Sequence, residues 1–199
     1  NDHTAGTSRG KLTPTAYMAE NDLSFARVVE AVSKSRFWAS TAIFVVEDDA
    51  QNGSDHIDAH RTIAYVISPF VQRRTVDSTL YSTCSMLRTM ELILGMKPMT
   101  QFDAAAMPMF ASFGAKPVMT PYTVVLPQVD LDARNLADAW GHEKSEQMNL
   151  TREDAADDLE LNEVIWRSVR GADSSMPAPV RAGFVLAAET EDEEEKERR

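Results

Sequence analysis

Apolar positions fall into runs of two periods. Leu23, Ala26, Val29 and Val32, flanked by Phe25 and Val28, recur at helical spacing behind Asn21 or Asp22 as a cap. That pattern predicts a helix ending around Ser33 to Ser35, closed by Phe37-Trp38. Thr41 to Val46 (TAIFVV) is a continuous β-branched and apolar run, as expected of a strand buried on both faces in a parallel sheet covered by helices. Thr62 to Ile67 (TIAYVI) predicts a second strand, ended by Ser68-Pro69, through which a central strand does not continue.

A second helix is predicted from about Ser82 to Leu94, with Met86, Leu87, Met90, Ile93 and Leu94 as its apolar face and Gly95 as its C-terminal cap. Residues 97–122 carry Pro98, Pro108, Pro117 and Pro121 among scattered Phe and Met, the pattern of an irregular apolar strap. Val124 to Val129 suits a short edge strand broken by Pro127, and 130–150 are polar and weakly patterned. Thr151 is positioned to cap a last helix through Arg170, with Leu161, Ile165 and Val169 buried and Gly171 after it. Asn1 to Pro14 reads as loop and 187–199 as a disordered charge run; no internal repeat is visible. The fold class expected is α/β.

Composition narrows this little: 199 residues, 43% hydrophobic and 8% aromatic, make a globular domain with an appendage. No apolar run approaches the roughly 18 residues of a membrane span. The single Cys84 excludes an internal disulfide, and its helical setting favours a small buried side chain over a nucleophile. The chain opens on Asn1-Asp2-His3 without an initiator Met and reads as the middle of a longer protein.

The net charge of −11 is local. Residues 143–163 hold eight acids against Lys144 and Arg152, and 189–199 hold seven against Lys196, Arg198 and Arg199, leaving about −1 elsewhere. This distribution argues against nucleic-acid binding through a basic face.

The chemistry concentrates in TAIFVVEDDAQNGSDHIDAHR, Thr41 to Arg61. A buried strand there runs into Glu47, Asp48 and Asp49, then a turn at Gln51-Asn52-Gly53, then Asp55, His56, Asp58 and His60. Ligands of open α/β sheets bind beyond the carboxyl ends of strands. Adjacent acids raise one another's pKa unless something compensates them, and a divalent cation does so. Carboxylate and imidazole ligands suit Zn, Mn or related ions. A solvated acidic loop with two surface histidines is the alternative. A calcium loop starting at Asp48 fails, because Ala50 and Ala59 occupy positions that need ligands.

FVVEDDAQNGSDHIDAHR, followed by TIAYVISPFV and STCSMLRTMELILGMKPMTQFDAA, resembles the C-terminal half of bacterial phosphoesterases. These belong to the alkaline-phosphatase-like superfamily, in a branch often fused behind a β-propeller. NDHTAGT, MAENDLSFARVVEAVSKSRFW and WRSVRGADSSMPAPV match the same branch, so the likeness spans roughly residues 1–185. It implies an alkaline-phosphatase-like mixed or parallel sheet flanked by helices, with a helical C-terminal appendage. Residues 1–125 would form the C-terminal half of the catalytic domain, 126–186 its irregular and helical extension, and 187–199 an acidic tail.

The resemblance also implies one or two divalent metal ions, Zn or Mn foremost, with Ca or Mg as options. Asp48 and Asp49 match the adjacent ligand pair after a central strand, and His56 matches a later His ligand. His60 is a further ligand candidate, and Asp2 and His3 match an upstream Asp…His pair, here adjacent rather than spaced. The Ser/Thr nucleophile of such enzymes would lie upstream of Asn1, so no catalytic residue falls within this chain. The upstream half of the same polypeptide is the implied partner, and a periplasmic or extracellular setting the implied location.

Phosphoryl transfer needs positive charge against the phosphoryl oxygens and an activated oxygen nucleophile, which two ions about 3.5–4 Å apart supply. Arg61, and less so Arg73 or Arg74, is the candidate for a substrate phosphate. Thr83 and Ser85 have no acid or imidazole near them in sequence to activate them. The expectation is a metal-dependent phosphoric ester hydrolase acting on a small-molecule or lipid ester. The alternatives are a non-catalytic metal-binding module of the same fold, and a phosphotransferase or mutase.

Overall fold

The structure is a computed structural model that describes residues 4–48, 50, 52–152 and 155–181. Its described residues form a mixed α/β chain: five α-helices, two short 3-10 turns and one two-stranded sheet. In order these are α1 (Pro14–Ser33), β1 (Ile43–Val46), β2 (Ala64–Ile67), α2 (Thr83–Leu94), α3 (Gln101–Ala105), α4 (His142–Gln147) and α5 (Asp158–Arg170). The chain divides into two compact units. Residues 1–26, 48–62 and 125–199 make one, called here the loop unit; 27–47 and 63–124 make the other, the strand unit.

In the strand unit β1 and β2 pair antiparallel, with Ile43 opposite Ile67 and Val46 opposite Ala64. The parallel sheet expected from the apolar run is therefore corrected: the described residues do not show an alkaline-phosphatase-like sheet. A run apolar on both faces reports burial, not the direction of its neighbour. Here β1 and β2 are only half-buried to exposed.

Expectation and structure agree on α2. Ser82 caps it in a reciprocal pair with Ser85, and Gly95 closes it at φ 65° in the left-handed region. Its apolar face is less covered than expected. Met86 is buried, whereas Leu87, Ile93 and Leu94 are exposed. The buried side is completed by polar groups: the Thr89 hydroxyl donates to Ser85 O at 2.7 Å and accepts the Met109 amide at 2.9 Å. The 97–122 strap is irregular, with α3 and a 3-10 turn inside it. Arg73 pins it, donating to Val118 O at 2.9 Å and Thr120 O at 2.7 Å while stacking on Tyr122. Tyr122 in turn meets the buried Trp38 edge-on.

α1 begins at Pro14, well before the cap expected at Asn21 or Asp22. Thr13 accepts the Ala16 amide at 3.1 Å, and proline at the first helical position has no amide to satisfy. In the loop unit, Asn135 serves three carbonyls, Gly6, Ser8 and Leu12, from one amide nitrogen. Thr7 bonds the Ser145 hydroxyl and Trp140 O, tying the N-terminal segment to α4. Val164, fully buried, packs against Gly6 and Gly141. α5 starts at the Asp157 cap, later than the Thr151 expected, and buries Leu161 and Val164, while Val169 is exposed. Val124 to Val129 form no strand. The 187–199 tail lies outside the described residues. No helix among the described residues is long and apolar enough to cross a membrane.

Candidate functional site

The segment after β1 belongs to the loop unit, whose described residues carry 15 acids against nine basic residues; the strand unit carries five against eight. Asp48 is exposed two residues beyond β1. Asp49, its expected partner, lies outside the described residues, as do Asp2 and His3.

The next turn is built by Asn52, which adopts the left-handed conformation at φ 52°. Its amide donates to Asp158 Oδ2 at 3.2 Å, at the start of α5. Gly53 follows with so little clearance that a Cβ would stand 3.0 Å from Asn162 Oδ1. Asn52, Asp157, Asp158 and Arg181 line an open depression of about 410 Å³ on this face.

Asp55 organises the rest of the loop. Its Oδ1 accepts the amides of Ile57 at 2.7 Å and Asp58 at 3.1 Å, and its Oδ2 takes the Arg61 guanidinium. Arg61, then the Ile57 amide, hold the Asp55 carboxyl down at about 2. The backbone is tied from outside as well: Ala59 N donates to Val180 O at 2.7 Å, and Val180 N to Asp55 O at 3.1 Å. Ala59 is 2% exposed and anchors the segment.

On this platform the two imidazoles differ. His56 is exposed, and among the described residues nothing hydrogen-bonds its ring. The His60 Nδ1 lies 2.9 Å from Asp58 Oδ1, and the His60 amide donates to the same oxygen at 2.9 Å. Arg61 is half-exposed but already holds a carboxylate. Arg73 belongs to the strand unit, where its guanidinium donates to Val118 O and Thr120 O.

The donor types suit a borderline or hard divalent cation: a carboxylate at Asp48 and imidazoles at His56 and His60. Among the described residues, no three His, Cys, Asp or Glu side chains converge as a ligand set. Asp55 and Asp58 are what sequence reasoning missed as organisers. Their signal is an Asp followed two or three residues later by amides that a turn leaves without partners. Comparison of the chain with protein-family models, with curated proteins and with solved structures returns no match.

Proposed function

We propose that the chain is the metal-ligand part of a metal-dependent phosphoric ester hydrolase of the alkaline-phosphatase-like superfamily. The observation that carries this reading is the Asp48–Arg61 loop. Acids and imidazoles crowd into one segment of the sequence, and the backbone that carries His56 and His60 is held by Asp55 and Val180. Asp48, Asp49, His56 and His60, with Asp2 and His3, would hold Zn or Mn. Bound there, the ion would offset charge on phosphoryl oxygens and activate an oxygen nucleophile. Arg61 reaches a substrate phosphate only by leaving Asp55.

In this reading the nucleophile comes from the upstream half of the same polypeptide, which also extends β1 and β2 into the larger sheet of the superfamily. Apolar exposure supports a covering partner. Nine large apolar side chains from Leu87 to Phe110 are between 40% and 70% exposed. That is apolar surface on the order of 800–1,000 Å², the scale of one side of a specific interface. The ester is a small molecule or a lipid, and the setting that goes with the resemblance is periplasmic or extracellular.

The test is metal analysis of the complete protein together with chromogenic assays on p-nitrophenyl phosphate and bis(p-nitrophenyl) phosphate. Bound divalent metal with hydrolysis of either ester is the expected result. Metal without hydrolysis of either would replace the enzyme with a binding module. Transfer to a sugar hydroxyl in place of water would make it a phosphotransferase.

A further inference from the structure

We propose that residues 172–181 form a brace coupling α5 to the Asp55–Arg61 loop, so that the order of the loop depends on the brace being seated at Ser174. The coupling stands on geometry within the loop unit and holds whether or not the loop binds a metal. One end of the brace is fixed to α5. Trp166 Nε1 donates to the Ser174 hydroxyl at 2.9 Å, and Arg167 Nη1 donates to Ala172 O at 2.6 Å. Arg167 is itself held, stacked on Trp140 and paired with Glu163. The other end is fixed to the loop by both backbone groups of one residue. Val180 N donates to Asp55 O at 3.1 Å and Val180 O accepts the Ala59 amide at 2.7 Å, joining segments far apart in sequence.

Between these ends the brace spans free. Among the described residues, nothing bonds the amides of Ser175, Met176 or Ala178, and Pro177 and Pro179 have no amide to give. An open hollow of about 590 Å³ lies there, lined by Met176 and Pro177 of the brace and by Glu160, Glu163 and Arg167 of α5. Two prolines in three residues restrict the backbone and stiffen the span. A stiff span fixed at both ends passes a displacement from one end to the other, where a flexible one would absorb it. The loop's internal bonds, from the Ile57 and Asp58 amides to Asp55 Oδ1, all converge on the residue that Val180 holds. Unseating the brace therefore loosens amides that the brace does not touch.

The experiment is residue-resolved amide hydrogen exchange by NMR on the unaltered chain, on Ser174→Ala and on Val180→Pro. Ser174→Ala removes the Trp166 acceptor at the end remote from the loop. It should speed exchange of the Ile57, Asp58 and Ala59 amides about three- to tenfold, the effect of losing one hydrogen bond, and leave the Val164 amide of α5 as protected as before. Val180→Pro removes the donor to Asp55 and should speed the Ile57 and Asp58 amides at least as much. Ser174→Ala is the mild change and decides the matter if Val180→Pro does not fold. Unchanged exchange of the Ile57 and Asp58 amides in Ser174→Ala would show the loop held by its own turn alone and overturn the proposal. Equal acceleration at Val164 would overturn it too, as a general loosening of the unit.

Discussion

Arg61 closes onto Asp55, its Nη2 2.8 Å and its Nε 3.2 Å from the same carboxylate oxygen. An arginine that sequence reasoning offers to a substrate phosphate is thus already a counter-ion, and it fastens the two ends of the loop that carries the imidazoles. The pair has a pH signature. The Asp55 carboxyl is depressed to about 2, so its contribution to stability is complete above the ordinary carboxyl value near 3.8 and is lost as pH falls through about 2. Thermal unfolding followed from pH 5 to pH 2 should show a fall that is shallower in Asp55→Asn. Because the pair is partly exposed, added salt should shrink the difference. Identical pH profiles for the two proteins would remove Asp55 as the loop's organiser.

Gly141 tests the packing that seats α4. Its φ of 76° is strained for any side chain, and a Cβ would stand 2.8 Å from Val164 Cγ2, on a fully buried residue. Gly141→Ala should destabilise the protein by about 2–4 kcal/mol. Gly10 has a similar φ of 71° with nothing within 4 Å, so Gly10→Ala should cost only about 1–2 kcal/mol. Equal losses in melting temperature would show that the Val164 contact is unimportant.

Arg73 is predicted to be structural. Lysine cannot serve Val118 O and Thr120 O together, nor stack on Tyr122 as a planar guanidinium does. Arg73→Lys should lower the urea midpoint by the equivalent of about 1–3 kcal/mol without changing the slope, and leave metal binding as it was. A lost metal or substrate response with an unchanged midpoint would return Arg73 to the functional site.

Legibility in the sequence followed the range of the interactions involved. α2 was readable because both of its ends are written locally, Ser82 at one and Gly95 at the other. The start of α1 was equally local, yet Thr13-Pro14 passes for loop when proline is taken as a breaker and not as a first helical residue. Strand direction was not readable, since TAIFVV suits either a parallel or an antiparallel neighbour. Val124 illustrates a different failure: its amide goes to the Glu30 carboxylate at 3.3 Å, a partner 94 positions away, and no strand ladder forms. α4 has six residues and no apolar stripe, and it is held by a Ser145–Thr7 contact across 138 positions. The candidate ligands were legible because they crowd one segment. The Asp58–His60 contact was not, because it depends on how that segment turns.

The account turns on a cation being held by Asp48 and Asp49. The most direct measurement is the metal content of the complete protein by mass spectrometry, beside an Asp48→Asn/Asp49→Asn double variant that remains folded. The account predicts at least one equivalent of a divalent metal in the first and essentially none in the second, with p-nitrophenyl ester hydrolysis lost in parallel. The same metal content in both proteins would contradict it.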